Sequence, residues 1–216
     1  MARDYTFDLL DYNEPVAKVF FVRHGETKAN KNGLIFGRWD LPLNKEGIKQ
    51  AKNVAEKLKK ICSKENIDVI FSSPLKRAKQ TAKAISKKTG IKKIVVDKNL
   101  IEKSEGLWQK MTYWDLKEVD PLNFRKWIKD PYRSIPPKGE SVINLMKRVK
   151  IFQSKVLKLY RGKSIIVVTH SGPIRAFILN ILKLPPDNFW CFKTETGAIT
   201  EIRISKKHVM IWGLNR

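Results

Sequence analysis

Short runs of β-branched and aromatic residues alternate along the chain with longer segments whose apolar residues recur every three or four positions. The runs are typical of buried β-strands, and the recurrence is typical of amphipathic α-helices. The run at residues 165–169 is continuous and apolar enough to be a central strand of a parallel sheet. Strands are predicted over residues 16–22, 68–71, 93–96, 165–169, 199–204 and 208–212.

Helices are predicted between these strands. In the segment 45–61, Ile48 belongs to the apolar face, and Asn44 is suited to cap the first turn. The pair of serines before Pro74 is suited to cap a second helix, in which proline occupies the first turn. Further helices are predicted over residues 141–160 and 174–182, with one or two short helices within 108–139.

Strands that alternate with helices predict a three-layer α/β/α sandwich with a mainly parallel central sheet. A length of 216 residues suits one domain, and neither a repeat nor a low-complexity linker divides the chain. We therefore expect a single domain over residues 1–216, with an N-terminal extension at 1–16 and a small helical lid insertion at 108–139. The tryptophans expected in the core of the lid are Trp108, Trp114 and Trp127.

Composition limits the classes of function. The chain carries 44 Lys and Arg against 21 Asp and Glu, a formal net charge of +23, but only 11 of the basic residues are arginines. Lysines scattered over helix faces predict a solvated surface, so nucleic-acid binding is not favoured. No apolar run approaches the ~20 residues of a membrane span, and acidic residues stand where a secretory signal would be apolar. A cytoplasmic protein without membrane contacts is expected.

Three predicted strands lead to reactive side chains. The first ends in Arg23 and His24, the second leads to Arg77, and the fourth ends in His170. Because strand ends in one sheet lie near each other, these groups are expected to converge on one crevice. Arginines bind phosphoryl oxygens, and a histidine held among them can attack phosphorus to form a phosphohistidine.

With these residues the sequence resembles the histidine phosphatase superfamily, the phosphoglycerate mutase-like proteins. Five ordered blocks carry the resemblance over roughly residues 17–204, which makes a chance match of short motifs implausible. The blocks contain Arg23-His24-Gly25-Glu26-Thr27 with Asn30; Gly37, Asp40, Pro42-Leu43, Gly47 and Gln50-Ala51; Ser72-Ser73-Pro74-Leu75 with Arg77, Ala78, Gln80 and Thr81; Leu100, Glu102, Gly106 and Trp108 with Gly139-Glu140-Ser141; and Thr169-His170 with Gly172, Ile174 and Arg175.

The resemblance implies a role for each matching residue. His24 would be the nucleophile, and Glu102 would protonate the leaving oxygen and later activate water. Glu105, three residues further on, is the rival acid. The residues implied in binding the substrate are Arg23, Thr27, Asn30, Arg77, His170 and Ser171, the last at a position where relatives commonly have glycine. The chemistry implied requires no metal and no cofactor, because basic groups neutralise the phosphate.

The family contains phosphatases and mutases, and the short span from Glu102 to Gly139 resembles the phosphatase branch. The sequence therefore predicts a metal-independent phosphatase that acts on small phosphorylated metabolites through a phosphohistidine. A cofactor-dependent phosphoglycerate mutase is the nearer alternative, and a basic nucleic-acid-binding protein is the distant one. Apolar residues in the terminal strands are also compatible with a homodimer. Phe36 departs from the family, whose members often have a polar residue there.

Overall fold

The computed structural model describes residues 17–216. The N-terminal extension predicted at 1–16 lies outside the described residues. Within the described part of the chain, six strands form one sheet in the order β3-β2-β4-β1-β5-β6. The first four strands in the chain pair in parallel, while β5 is antiparallel to β1 and β6 is antiparallel to β5. The strands are β1 (Ala17–Arg23), β2 (Ile67–Ser72), β3 (Lys93–Val96), β4 (Ser164–Thr169), β5 (Ile199–Ile204) and β6 (Val209–Gly213).

Helices cover both faces of this sheet, as the three-layer prediction requires. One apolar cluster joins β1, β2 and β4 to α2 and α3, and another joins the opposite face of the same strands to α6 and α7. The helices are α1 (Lys28–Lys31), α2 (Lys45–Cys62), α3 (Lys76–Thr89), α4 (Tyr113–Val119), α5 (Pro121–Lys129), α6 (Val142–Leu159) and α7 (Ser171–Leu182), with 3-10 turns at Lys98–Leu100, Gly106–Trp108 and Pro186–Cys191. Within residues 17–216, every helix is too short or too polar to span a membrane.

The residues of β1 alternate between the two layers of helices. Val19 and Phe21 pack on the side of α6 and α7, while Phe20 and Val22 pack on the side of α2 and α3. The rings of Phe21 and Phe177 lie 4.7 Å apart, which anchors α7 to the sheet. All six residues of β4 are buried, so its predicted central position is confirmed.

The register of the parallel strands determines where the reactive residues meet. Arg23 pairs with Thr169, and Ser72 pairs with Val168, so β1, β2 and β4 end at the same level. The residues that follow these ends are therefore neighbours, although up to about 150 positions separate them in the chain. This common edge is the place where the sequence predicted the catalytic crevice.

Two predictions about helix beginnings were wrong. α3 begins after Leu75 without a side-chain cap, because the Ser73 hydroxyl lies against His170 instead. α7 begins at Ser171 and not at residue 174, because the Gly-Pro pair fits the first turn, where a proline needs no hydrogen-bond partner. The predicted cap at Asn44 is confirmed, since its side-chain oxygen accepts a hydrogen bond from the backbone N–H of Gly47.

Two predictions about burial were also wrong. Ile48 is 47% exposed, and Val54 takes its place on the inner face of α2. Trp114 is 84% exposed, because Leu116 is the buried residue of α4 and a residue two positions away lies on the opposite side of a helix. Trp108 and Trp127 do belong to a small apolar cluster, together with Leu116 of α4 and Phe124 of α5.

Two glycines allow the loop after β1 to pack tightly on the first turn of α2. A Cβ at Gly25 would collide with the carbonyl oxygen of Gly47, and a Cβ at Gly47 would collide with that of Glu26. The contact is reinforced by a hydrogen bond of 2.8 Å from the Glu26 N–H to the Gln50 side chain. The loop that carries His24 therefore rests directly on helix backbone.

Replacing Gly47 by alanine tests this packing. Helix propensity alone would give a gain of about 1 kcal/mol in the free energy of unfolding. We expect instead a loss of about 1–3 kcal/mol, because the added methyl group has no room beside Glu26. Urea denaturation measures the change. Asn53→Ala is the matched control, since Asn53 is an exposed residue of the same helix; a Gly47→Ala protein more stable than wild type would contradict the prediction.

Candidate active site

His24 lies at the end of β1 and is only 1% exposed. Its Nδ1 is 2.7 Å from the carbonyl oxygen of Gly25, and its Nε2 is 3.2 Å from the Nε of Arg77. An arginine nitrogen can only donate, so Nε2 of His24 accepts and the ring proton is assigned to Nδ1, which donates to Gly25. The unprotonated nitrogen of His24 is thus the one that lies beside the arginine.

His170 is the second imidazole at this edge. Its Nδ1 accepts from the same Nε of Arg77 at 3.2 Å, and its Nε2 is 2.7 Å from the hydroxyl of Ser73, to which it donates. The centroids of the two imidazole rings are 4.9 Å apart. Burial, followed by the charge of Arg77, lowers the pKa of both histidines well below the usual range. Both rings are therefore neutral at neutral pH.

Arg77 projects from the first turn of α3 and is completely buried. Its two terminal nitrogens donate to the carbonyl oxygens of Trp39 at 2.9 Å and Gly37 at 2.7 Å. The ring of Phe36 covers the guanidinium, with its centroid 4.9 Å from the central carbon. Burial lowers the pKa of Arg77 to about 10, which leaves a cation at neutral pH. A fixed positive charge thus lies between the two histidines.

Arg23 brings a second cation to the site. One of its terminal nitrogens donates to the carbonyl oxygen of Thr194 at 2.7 Å. Its Nε is buried but has no hydrogen-bond partner among the described residues. A buried donor without an acceptor is costly, so this nitrogen is suited to an anion that enters from outside.

A cleft of about 220 Å³ opens above these groups. Arg23 and Phe36 belong to its wall, whereas His24 and Arg77 lie deeper, in contact with Phe36. The side chains that complete the lining come from the loop before the lid, from α4, from α7 and from the 3-10 turn near its end. They include Glu102, Lys103, Glu105, Tyr113, Ser171, Arg175, Phe189 and Trp190.

Glu102 reaches the cleft from the loop after the first 3-10 turn. Its carboxylate accepts from the backbone N–H groups of Lys103 at 2.7 Å and Gly172 at 3.3 Å, and the latter lies in the first turn of α7. A Cβ at Gly172 would collide with this carboxylate, so glycine allows Glu102 to adopt the observed position. The acid of the motif is thus docked on the N-terminus of a helix.

The backbone of Glu102 is held by two arginines. Its carbonyl oxygen accepts from Arg38 at 3.1 Å and from Arg148 at 3.0 Å. Both arginines also bind the carboxylate of Glu140, with nitrogen–oxygen distances between 2.8 and 3.1 Å. Burial alone would raise the pKa of Glu140, but the bonds and charge of Arg148 outweigh it and the pKa is lowered. Glu140 therefore fixes the loop that carries Glu102.

The other three residues predicted to bind substrate are Thr27, Asn30 and Ser171, and each forms a side-chain hydrogen bond within the chain. Thr27 and Asn30 form a reciprocal cap at the start of α1, in which the amide oxygen of Asn30 lies 2.8 Å from the Thr27 hydroxyl. Thr27 is fully buried and neither residue lines the cleft, so their contact with substrate stays a prediction. Ser171 does line the cleft, and its hydroxyl accepts from that of Thr194 at 2.8 Å.

Several cleft residues were not assigned to the site from the sequence. Arg175 was part of a motif block, and its position one helical turn after Ser171 could have placed it on the same face. Tyr113 and Trp190 had no such signal. Each lies in a short helical segment whose position relative to the cleft depends on the path of the neighbouring loops. Glu105, the rival acid, lines the cleft and pairs with Lys103 at 2.7 Å; burial raises its pKa and the lysine opposes that shift.

Nothing in residues 17–216 resembles a metal site, since no group of three or more His, Cys, Asp or Glu side chains is arranged to hold an ion. The groups that converge on the cleft are instead hydrogen-bond donors and cations around a neutral imidazole. Such a set of groups can stabilise the transition state of phosphoryl transfer, and the imidazole nitrogen can accept the phosphoryl group.

Comparison with known proteins agrees with this geometry. The sequence pattern of the histidine phosphatase superfamily (branch 1) matches residues 19–216. Phosphoserine phosphatase 1 of Hydrogenobacter thermophilus is 34% identical over 200 residues, which cover 93% of this chain and 92% of that protein. The adenosylcobalamin/alpha-ribazole phosphatase of Escherichia coli is 29% identical over 198 residues, covering 92% of this chain and 95% of that protein.

A solved structure supports the same relationship. The alpha-ribazole phosphatase from Shigella flexneri superposes with a TM-score of 0.84 and 28% identity, covering 92% of this chain and 96% of that one. These relatives are phosphatases, which supports that activity over the mutase alternative. The chain belongs to branch 1 of the histidine phosphatase superfamily and is a phosphatase.

Proposed function

We propose that this phosphatase hydrolyses small phosphomonoesters in two steps, with Nε2 of His24 carrying the phosphoryl group between them. The observation that carries the proposal is a neutral, unprotonated histidine nitrogen held beside the Arg77 cation and near the unpartnered donor of Arg23. These groups offer a dianion one nucleophile and two positive charges, and the His24 and Arg77 side chains are almost completely buried.

In the first step Nε2 of His24 forms a bond to phosphorus, and the bond from phosphorus to the ester oxygen breaks. Arg23 and Arg77 bind the phosphoryl oxygens as their charge redistributes. His170 joins them when its Nδ1, which accepts from Arg77 in the free enzyme, has taken up a proton that it can donate. The single Nε–H of Arg77 is shared by two histidines in the free enzyme, so its hold on each is weak and a phosphoryl oxygen can replace them. Nδ1–H of His24 keeps its bond to Gly25, which fixes the ring for attack.

Glu102 supplies the proton that the leaving oxygen needs. It must carry that proton when the substrate binds, and it becomes a carboxylate as the alcohol departs. In the second step it takes a proton from water, which attacks phosphorus and releases phosphate from His24. The hydrogen bonds from Arg38 and Arg148 to its backbone carbonyl support this role, because they fix the position of Glu102 in the wall of the cleft.

The remaining expectations belong to the same proposal. The substrate is a small-molecule phosphomonoester, the enzyme works in the cytoplasm, and the reaction proceeds without metal or cofactor. Support for the substrate class comes from the modest volume of the cleft, about 220 Å³. A homodimer, and a lack of affinity for nucleic acid, stay predictions from the sequence.

Replacing His24 by alanine tests the covalent step. We expect phosphate release from p-nitrophenyl phosphate to fall at least about a thousandfold, because the substitution removes the nitrogen that carries the phosphoryl group. Wild type quenched during turnover of a radiolabelled phosphomonoester should hold acid-labile phosphate on His24, whereas the variant should hold none. His208→Ala is the matched control, since His208 lies in the β5–β6 turn outside the cleft.

Both enzymes are assayed with and without a chelator. An absolute need for added metal, or undiminished turnover by the His24→Ala protein, would contradict the proposed chemistry.

Replacing Glu102 by glutamine tests the proton donor. Glutamine keeps the size of the side chain but carries no acidic proton, so hydrolysis of alkyl phosphates should fall about 10²–10⁴-fold. The rate on p-nitrophenyl phosphate should fall much less, because nitrophenolate leaves without protonation. Glu105→Gln is the matched control, made three residues away in the same cleft. A larger and equally leaving-group-dependent loss in Glu105→Gln would transfer the role to Glu105.

The two buried histidines should make stability depend on pH. Their pKa values are lowered in the folded protein, so below the usual value near 6.5 the unfolded chain binds protons that the folded chain does not. The free energy of unfolding should therefore fall as pH decreases from about 7 to 5, by up to about 1.4 kcal/mol per pH unit for each histidine. Urea denaturation across this range measures it, and the slope should flatten in the His24→Asn/His170→Asn protein. Equal slopes in the two proteins would show that these histidines are protonated in the folded state.

A further inference from the structure

A second cavity, of about 430 Å³, adjoins the catalytic cleft. Its described lining consists of Tyr113, Trp127, Ile128, Pro131 and Trp190, none of which carries a charge. Tyr113 and Trp190 also line the catalytic cleft, so this aromatic pair borders both spaces. A substrate group that extends from the cleft toward the second cavity would contact these two residues.

Neighbouring rings hold the aromatic pair in place. Tyr113 stacks on Trp127, with centroids 5.2 Å apart and an angle of 21° between the planes. Trp190 meets Phe189 edge to face at 5.0 Å, and the guanidinium of Arg175 lies 4.9 Å from the Trp190 ring centroid. Tyr113 and Trp190 are nevertheless 41% and 45% exposed as whole residues. Part of each side chain is therefore accessible, while its neighbours hold it in place.

The charges are unevenly distributed between the two spaces. The cleft carries the cations Arg23, Lys103 and Arg175 and the acids Glu102 and Glu105, whereas the second cavity has apolar and aromatic walls. A charged group moved into that cavity would lose its hydration without gaining a partner. An uncharged ring would lose little hydration and would gain stacking contacts with the exposed faces.

We propose that the leaving group of the substrate carries a flat, uncharged ring, of the kind found in a nucleoside monophosphate, which stacks on the aromatic pair and extends into the second cavity. This inference rests on the proposed function, since it places the phosphoryl group at His24 and the ester oxygen at Glu102. The observation that carries it is that Tyr113 and Trp190 line both spaces. A compact zwitterionic leaving group would leave the second cavity empty.

Two substrates with the same leaving oxygen test the assignment. Adenosine 5′-monophosphate and ribose 5-phosphate both release a ribose 5′-hydroxyl, so the demand on Glu102 is the same and the base is the main difference. For wild type we expect kcat/KM to be at least about tenfold higher for the nucleotide, mainly through a lower KM, because stacking of a base on an aromatic side chain is worth about that factor.

Variants then locate the contact. Trp190→Ala should lower kcat/KM for the nucleotide about tenfold and that for ribose 5-phosphate by at most about twofold, so that the preference is lost. Trp190→Phe keeps a ring face and should restore most of the preference. Trp114→Ala is the matched control: this exposed tryptophan follows Tyr113 in α4 but lines a different cavity, so its loss should affect neither substrate.

The outcomes separate the two proposals. Equal kcat/KM for the two substrates in wild type, or an equal loss for both in Trp190→Ala, would overturn the ring assignment while phosphate release still upheld the phosphatase chemistry. Failure to release phosphate from either substrate and from p-nitrophenyl phosphate would overturn the proposed function and the ring assignment with it.

Discussion

One hydrogen-bond donor, the Nε–H of Arg77, organises the catalytic edge of this protein. It lies at 3.2 Å from a nitrogen of His24 and at 3.2 Å from a nitrogen of His170, and its cation is buried with them. A buried cation is tolerable only where other groups compensate for lost water, and the carbonyl oxygens of Gly37 and Trp39 do so here. The ends of β1 and β4, the start of α3 and the loop before α2 therefore depend on one another.

The same cation determines the protonation of its neighbours. Two imidazoles that both accept from an arginine cannot also be charged at the shared nitrogens, so each proton moves to the far side of its ring. One far side faces a backbone carbonyl at Gly25, and the other faces the hydroxyl of Ser73. The two histidines thus differ chemically through the carbonyl of Gly25 and the hydroxyl of Ser73, because both share Arg77 as a partner.

Patterning predicted the sheet well for two reasons. Strands buried on both faces, such as β4, are continuous apolar runs in the sequence. The carboxyl ends of parallel strands lie at the same edge of the sheet. The second of these rules by itself predicts that His24, Arg77 and His170 lie together. Patterning was wrong for Ile48 and Trp114, because an error of one or two residues in the assumed helical phase moves a side chain from the buried face to the exposed face. It did not predict Tyr113 and Trp190, because they lie in short helical segments whose placement at the cleft is determined by tertiary packing and not by sequence periodicity.

The net charge of +23 has little to do with the chemistry of the cleft. Lys76, Lys79 and Lys83 lie exposed along the outer face of α3, while Arg77 of the same helix is buried at the site. Neighbouring basic residues thus have different surroundings: the inner one lies beside the two histidines, and the outer ones raise the electrostatic potential around the molecule. The outer charges can speed the approach of anionic substrates and would be screened by salt.

The docking of Glu102 on α7 links proton transfer to the helix itself. The N-cap residue of α7, His170, makes no side-chain capping bond, and the N–H of Gly172 in the first turn is satisfied by the Glu102 carboxylate instead. A helix N-terminus interacts more favourably with a carboxylate than with a neutral acid. In the proposed reaction each turnover therefore removes and restores the negative charge of Glu102 at the N-terminus of α7. The electrostatic field along this helix, which carries Ser171 and Arg175, changes at each proton transfer.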